Sequence, residues 1–395
     1  MNENRMSVGA FFQKYTMVIA LVVVVIFFAI ATGGGSLKPG SINNLISQNG
    51  YVFVLAAGML LCILTGGNID LSVGSVVCFA AAVGCVLMDN KVNMWIAVIV
   101  MLGIGLAIGT FQGFWIAKLH VPAFIATLSG MYAFRGLSNV VLQGYRVDIT
   151  NSTFLFLFGS GRTSYIPDFI KQMTGSESSL NLTCLIFGIA ATLIYILMTI
   201  RKILVQKKLN IHQSIIGQSI TTLLISAVIL FLTWQMASYR GIPMVLIWIG
   251  LVLGIYQYIT PKTAMGRHLY AVGGNEKATA LSGVKTRNVY WFAYASIGLM
   301  AGLAGILTAA RAKGIDPTYG EGYEMDAIAS CFIGGASAYG GVGKVSGMII
   351  GAVLMGVINQ GMNMVGVDSN YQKVVKGLVL LVAVIFDVLS KRQKR

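Results

Sequence analysis

Asp70 stands inside an apolar stretch that reads LTGGNIDLSVGS over residues 64–75. A carboxyl group in such surroundings is costly unless it is hydrogen-bonded. Two adjacent glycines break a helix, and Asn68, Ser72 and Ser75 offer bonds to the backbone that the break frees. Two roles fit: a broken helix lining a polar path, or a hairpin whose aspartate caps the helix that follows. Polar side chains recur on later apolar segments at Thr110, Gln112, Thr127, Ser129, Arg135, Asn359, Gln360 and Asn363. Uncharged groups of this kind suit a neutral polyhydroxylated ligand, which needs many weak donors and acceptors and no countercharge. Interhelical hydrogen bonding calls for the same residues.

Other chemistries lack their residues. Gly343-Lys344 is the one Gly-Lys pair, but alanine occupies position 338 where a phosphate-binding loop needs glycine, and Val345 replaces the magnesium-binding hydroxyl. His120, His212 and His268 fall on separate loops, so neither a metal cluster nor a nucleophilic triad is expected. Cys62, Cys78, Cys85, Cys184 and Cys331 all lie in apolar runs without metal-ligand spacing, as small buried hydrophobes do. The expectation is a protein with no catalytic residue, metal or cofactor of its own.

The elements that carry these residues are set by composition. Hydrophobic residues make up 56% of the chain, charged ones only 10%, and 47 of its 395 residues are glycine. This fits an all-α polytopic membrane protein, a single transmembrane domain over 1–395, in which small residues let helices approach. The apolar runs are continuous rather than alternating, which excludes a β-barrel. The net charge of +15 sits in short caps between apolar runs, without the basic stripe and interleaved aromatics of a nucleic-acid binder. At about 20 apolar residues per crossing, spans fall near 15–31, 50–66, 70–88, 94–117, 122–142, 182–200, 214–234, 242–260, 289–310, 326–340, 345–365 and 371–389. The Gly-rich pieces at 66–70 and 326–340 fit a half-helix or re-entrant segment equally well, so the expected count is about 10–12.

Charge orients the spans. With the N-terminus inside, cytoplasmic loops collect Arg5, Lys14, Lys118, Arg201, Lys202, Lys207, Lys208, Lys344 and the terminal Lys391, Arg392, Lys394 and Arg395. The acids Asp148, Asp168, Glu177, Asp316, Glu321, Glu324 and Asp326 gather on the other side. Both termini are therefore expected in the cytoplasm. The first apolar run ends in Ala29-Ile30-Ala31, which looks like a signal cleavage site. Removing it would leave the wrong parity for this charge pattern, so an uncleaved helix is expected. The segment 144–180, with Asn151-Ser152-Thr153, Gly159-Ser160-Gly161 and Ile166-Pro167-Asp168, is either an external cap or a solvated connector. An inverted repeat is also legible: Ile69-Asp70 to Gly74 matches Ile315-Asp316 to Gly320, and Gly-rich helices follow near Gly103 and Gly347.

The polar stretch 261–288 carries Lys262, Arg267, Lys277, Lys285 and Arg287 against the single acid Glu276, which marks it as cytoplasmic. Within it, residues 276–281 are good helix formers, preceded by Gly273-Gly274-Asn275 and closed by Gly283. A short capped helix of this kind suits docking into a groove of a cytoplasmic partner; attraction to anionic lipid needs only charge.

Six stretches, in order and spread over most of the chain, resemble the permease subunits of bacterial ABC importers for monosaccharides, the ribose, xylose and galactose type. They are LTGGNIDLSVGS (64–75), VPAFIATLSGMYAFRG (121–136), MGRHLYAVGGNEKATALSGV (265–284), LMAGLAGILTAA (299–310), YEMDAIASCFIGGASAYGGVG (323–343) and residues 374–387. The resemblance implies a permease homodimer in the bacterial inner membrane, with cytoplasmic ATPase subunits and an extracytoplasmic sugar-binding protein. It places the ATPase-coupling segment at 274–283, with Gly274, Asn275, Glu276, Ala278, Leu281 and Gly283 as its working residues. The expected path residues are Asn68, Asp70, Ser72, Thr127, Arg135, Asn359 and Asn363. The chain departs from the shorter ribose-type members by an added hairpin over 182–234, joined by a basic loop from Arg201 to His212. It looks more like the longer xylose or multiple-sugar permeases.

Overall fold

The computed structural model describes residues 8–159, 164–175, 178–209 and 215–392. Glu3, Arg5, Ser160, Gly161, Glu177, His212, Lys394 and Arg395 lie outside them. Helices α1 (Val8–Ala31), α2 (Pro39–Gln48), α3 (Gly50–Leu64), α4 (Val73–Asp89), α5 (Met94–Leu119) and α6 (Ala123–Leu142) form the first part. Strand β1 (Val147–Asp148) and short helices α7 (Ser152–Phe158) and α8 (Phe169–Thr174) follow. Next come α9 (Leu182–Lys208), α10 (Ile215–Ala237), α11 (Met244–Lys262), α12 (Ala264–Gly274), α13 (Glu276–Leu281) and α14 (Thr286–Ala312). Strand β2 (Gly314–Ile315), α15 (Tyr323–Ile333), α16 (Val345–Val365) and α17 (Ser369–Arg392) complete the chain. Among the described residues, six helices are long and apolar enough to cross a membrane, and a seventh span arises if α2 and α3, bent by 42°, count as one.

Burial separates a centre from a periphery. In the apolar windows of α14 and α16, 78% and 72% of residues are buried, against 17% for α9 and 22% for α10. The α9–α10 hairpin thus stands at the edge, packed on itself, on α2 and on α8. At the centre, α5 and α14 cross with no side chain between them. A Cβ on Gly298 would stand 2.3 Å from Gly105 O, and one on Gly109 2.2 Å from Tyr294 O. The glycine content is therefore spent on close approach, as helix association in lipid requires.

The repeat is visible in both packing and local geometry. Helix α4 packs on α5 and α6, as α15 packs on α16 and α17; α3 packs on α15, as α14 packs on α4. Asp70 Oδ1 accepts from Ser72 N at 2.8 Å and from Ser72 Oγ at 2.7 Å. Asp316 Oδ1 accepts from Thr318 N at 2.9 Å and from Thr318 Oγ1. The final glycines of the two copies touch: a Cβ on Gly74 would meet Gly320 O at 2.1 Å, and one on Gly320 would meet Gly74 O at 2.1 Å.

Of the two readings of 326–340, a crossing or a half-helix, the structure has the half-helix: α15 has 11 residues, about 16 Å at 1.5 Å per residue, and a turn follows. Two expectations need correction. Glu324 and Asp326, expected in an external loop, lie on this helix. The basic loop beginning at Arg201 is instead the end of α9, which runs to Lys208. Ile203, Leu204 and Val205 continue the helix there, and cations at its C-terminal end favour the dipole. Gly273 and Gly274 stand just before the short helix 276–281, in the last turn of α12, which ends at Gly274.

Segment 144–180 is a packed cap rather than a bare connector. Strands β1 and β2 pair antiparallel, Val147 opposite Ile315. Phe154 and Phe158 are buried, and Trp248 Nε1 donates to Leu157 O at 2.9 Å. Asp168 ties two helix starts together. It accepts from Lys171 N at 3.1 Å on α8, from Leu182 N at 2.8 Å, and from Thr183 N at 3.1 Å on α9. Burial pushes the Asp168 carboxyl up, but hydrogen bonds from Thr183, Lys171 and Leu182 outweigh it and hold the group below the usual carboxylate range.

Two outcomes follow. Gly298→Ala should lower stability by about 1–3 kcal/mol through overpacking, whereas Gly250→Ala, with nothing within 4 Å, should be neutral or stabilising; thermal unfolding in detergent compares them. Because the folded Asp168 carboxyl titrates below its unfolded value of about 3.9, its stabilisation is complete above that pH and is lost as pH falls through the lowered value. Amide exchange at Leu182 and Thr183 should therefore quicken under acid, and Asp168→Asn should flatten that dependence.

Candidate functional site

Two places in the molecule bring polar groups together in an apolar surrounding: the meeting point of the broken helices, and a loop at one end. Call the end that carries α13 the loop face, and the end that carries β1 and β2 the cap face. The chain leaves the helix at 65–72, at 313–322 and at 334–344. Backbone freed inside an apolar layer must find protein partners. Gly341 N donates to Leu64 O at 3.0 Å, Ser337 N to Val342 O at 2.8 Å, and Ala338 N to Asp387 Oδ2 at 3.0 Å.

The expected path residues do not gather at one place, and none lies at the loop face. Asp70 is buried and accepts from Ser72, the residue just before α4, rather than from the free N–H groups of that helix's first turn. Ser72 is also buried, and Gln112 Nε2 on α5 donates to its Oγ at 2.9 Å. Asn68 Nδ2 donates to Thr65 O at 3.3 Å beside this turn. Arg135, on α6, reaches the opposite repeat: its Nη1 donates to Pro317 O at 2.9 Å and to Tyr319 O at 2.6 Å. Thr127 is buried and bonds back to Ala123 O at 2.8 Å within its own helix. Asn363 is exposed, one turn beyond Asn359 on α16, and accepts from Gln372 at 2.8 Å.

Asn359 belongs to a buried network that sequence inspection missed. Asp326, 0% exposed, accepts from Tyr51 Oη at 2.6 Å, Lys376 Nζ at 2.9 Å and Asn359 Nδ2 at 3.3 Å. The Tyr51 ring stacks on Tyr323 at 3.6 Å between centroids. Asp326 Oδ1 and Asn359 Oδ1 are buried without partners. Helices α3, α15, α16 and α17 thus share one charged node. A lysine within the apolar run of α17 was the available signal, since an unpaired cation there would be costly.

At the loop face, α12 and α13 build the polar stretch 261–288 into a helical corner. Thr263 Oγ1 accepts from Gly266 N at 3.0 Å to start α12, and Asn275 Oδ1 accepts from Ala278 N at 3.0 Å to start α13. Gly283 closes the corner at φ +86°. Glu276 Oε2 accepts from Tyr290 Oη at 3.0 Å, fixing α13 against α14. Thr279 is buried on the inner side, while Leu281 is 89% exposed. Gly274, Asn275, Glu276 and Ala278 are exposed with it. The corner is also joined to the breaks: a Cβ on Gly273 would stand 1.9 Å from Leu64 O and 2.3 Å from Gly341 N. Tyr270 Oη donates to Gly343 O at 2.8 Å. The corner thus touches two of the three breaks, through Gly273 and Tyr270.

A family model described as the branched-chain amino acid transport system / permease component matches residues 41–384. The xylose transport system permease protein of Haemophilus influenzae is 32% identical over 388 residues, 96% of this chain and 97% of that protein. Its counterpart in Escherichia coli K12 is 32% identical over 391 residues, 96% and 93% respectively. The ribose import permease protein of the same strain is 33% identical over 382 residues, 95% and 94%. No solved structure matches the chain.

The buried node has a testable cost. Lys376→Met leaves the Asp326 charge without its cation and should destabilise the protein by about 3–5 kcal/mol. Adding Asp326→Asn to that variant should recover most of the loss, as thermal unfolding of the two purified variants would show.

Proposed function

The chain belongs to the family of branched-chain amino acid transport system permease components, and we propose that it is the membrane-spanning subunit of an ATP-driven importer that carries a monosaccharide such as xylose, ribose or galactose. The observation that carries this is the similarity, over nearly the whole of both chains, to permeases named for xylose and ribose. The subunit sits in the bacterial inner membrane as one transmembrane domain, both termini and the loop face on the cytoplasmic side. It has no ATPase site of its own. It pairs as a homodimer within the lipid bilayer, receives energy from a cytoplasmic ABC ATPase subunit, and takes sugar from an extracytoplasmic binding protein.

In this mechanism Leu281 is the apolar anchor that enters the ATPase, framed by Gly274, Asn275, Glu276, Ala278 and Gly283. Nucleotide states of the ATPase that hold α13 differently shift the permease between conformations, by no more than their difference in affinity. Displacement of α12 moves the ends of α3 and α16 through Gly273 and Tyr270. The repeats around Asp70 and Asp316 then alternate access to a path bordered by Asn68, Ser72, Thr127, Arg135, Asn359 and Asn363.

The family description raises a second substrate class, branched-chain amino acids. A zwitterion needs a carboxylate and a cation free to meet it. Asp70 is engaged by Ser72, and Arg135 by the carbonyls of residues 317 and 319. Neutral sugar suits this path better. An ion-coupled transporter would need no docking helix, and its uptake would survive in vesicles without ATP and collapse with an ionophore.

Leu281→Asp should leave the permease folded, since the side chain is solvent-facing, yet cost a docking hot spot of about 2 kcal/mol. Sugar-stimulated ATP hydrolysis in the reconstituted complex should fall accordingly. If a flexible linker in place of residues 276–282 leaves both hydrolysis and uptake intact, the docking role is wrong.

A further inference from the structure

A cavity of about 160 Å³ opens at the cap-face end between the start of α3, the end of α14 and the turn before α15. Its walls include Ser47, Gln48, Tyr51, Thr308, Arg311 and Tyr323. Two of these carry an unmet demand. Ser47 Oγ and Thr308 Oγ1 belong to residues 5% and 6% exposed, and neither has a hydrogen-bond partner. The Tyr323 hydroxyl lies within reach of Thr308, the nearer of the two to an internal partner. Buried hydroxyls are rarely left so, because an unmet donor or acceptor costs about 1–3 kcal/mol.

We infer that this cavity is a transit subsite for one ring-sized neutral polyol, with Ser47 and Thr308 hydrogen-bonding its hydroxyls and the Tyr51–Tyr323 pair as its aromatic wall. Size sets the first limit: an apolar cavity of about 150 Å³ takes one benzene ring, so this space holds one ring and no disaccharide. Charge sets the second. Arg311 stands at the exposed rim and no carboxylate lines the space, so neither a cation nor a zwitterion finds its counterpart. Hydroxyls, an amide and aromatic faces around a small concave space are what an uncharged hydroxylated ligand requires. The floor has a further property: Tyr51 Oη donates to buried Asp326. A ligand against Tyr51 therefore touches the node that joins α3, α15, α16 and α17.

This inference rests on the monosaccharide reading above, and the experiment separates the two. The purified permease in nanodiscs, without ATPase or binding protein, is probed by saturation-transfer NMR with xylose, ribose and leucine. Transfer to the pentose ring protons is expected, with none to leucine. Thr308→Val, and independently Ser47→Ala, should weaken pentose binding roughly threefold to tenfold, the loss of one neutral hydrogen bond. Thr308→Ser should restore it, and none of the three variants should unfold at a lower temperature than the wild type. No pentose signal from the wild-type permease, an equal signal from Thr308→Val, or leucine displacing the pentose overturns the subsite. If the complete importer still carries pentose in that event, the functional reading survives; if it carries leucine and no pentose, that reading falls as well.

Discussion

Backbone that leaves a helix within an apolar layer has no water to bond to, and this protein leaves the helix three times near its centre. Much of the rest follows from repairing those breaks. Each repair draws on another part of the chain: Gly341 N meets Leu64 O, Asp387 takes Ala338 N, Arg135 covers the carbonyls of Pro317 and Tyr319, and β1 lends a strand edge to β2. The two aspartates of the repeat do the same work locally, each folding its turn onto its own carboxylate. The breaks hold one another in place. They are consequently points that the structure specifies from several parts of the chain at once.

How much of this was legible in the sequence depended on range. The capped helix at 276–281 could be read because its signals, Asn275 and Gly283, lie within a few residues of it. The repeat could be read because Asp70 and Asp316 carry the same local turn. Asp326 could not be read as a hub: its partners stand at positions 51, 359 and 376, and only the fold brings them together. The length of α15 was hidden because apolar content continues past Ile333 through Gly334-Gly335-Ala336, so hydropathy alone does not mark where the helix stops. Arg135 was noticed as a polar residue on an apolar helix, yet its task, holding the opposite repeat, is a tertiary fact.

Glycine works in two distinct ways here. Along the α5–α14 crossing it removes side chains so that backbones meet, which fixes the relation of the two halves through Gly105, Gly109 and Gly298. In α12, Gly273 does the same against Leu64 O and Gly341 N. The second contact joins the loop face directly to the central breaks.

The contact of Gly74 with Gly320 has a mechanical meaning of its own. Interdigitated side chains act as teeth, and moving them means crossing rotamer barriers one at a time. At this point the first turn of α4 meets the turn before α15 backbone to backbone, with the Glu324 carboxylate beside it, so few teeth engage. The two copies of the repeat therefore touch main chain to main chain at this point.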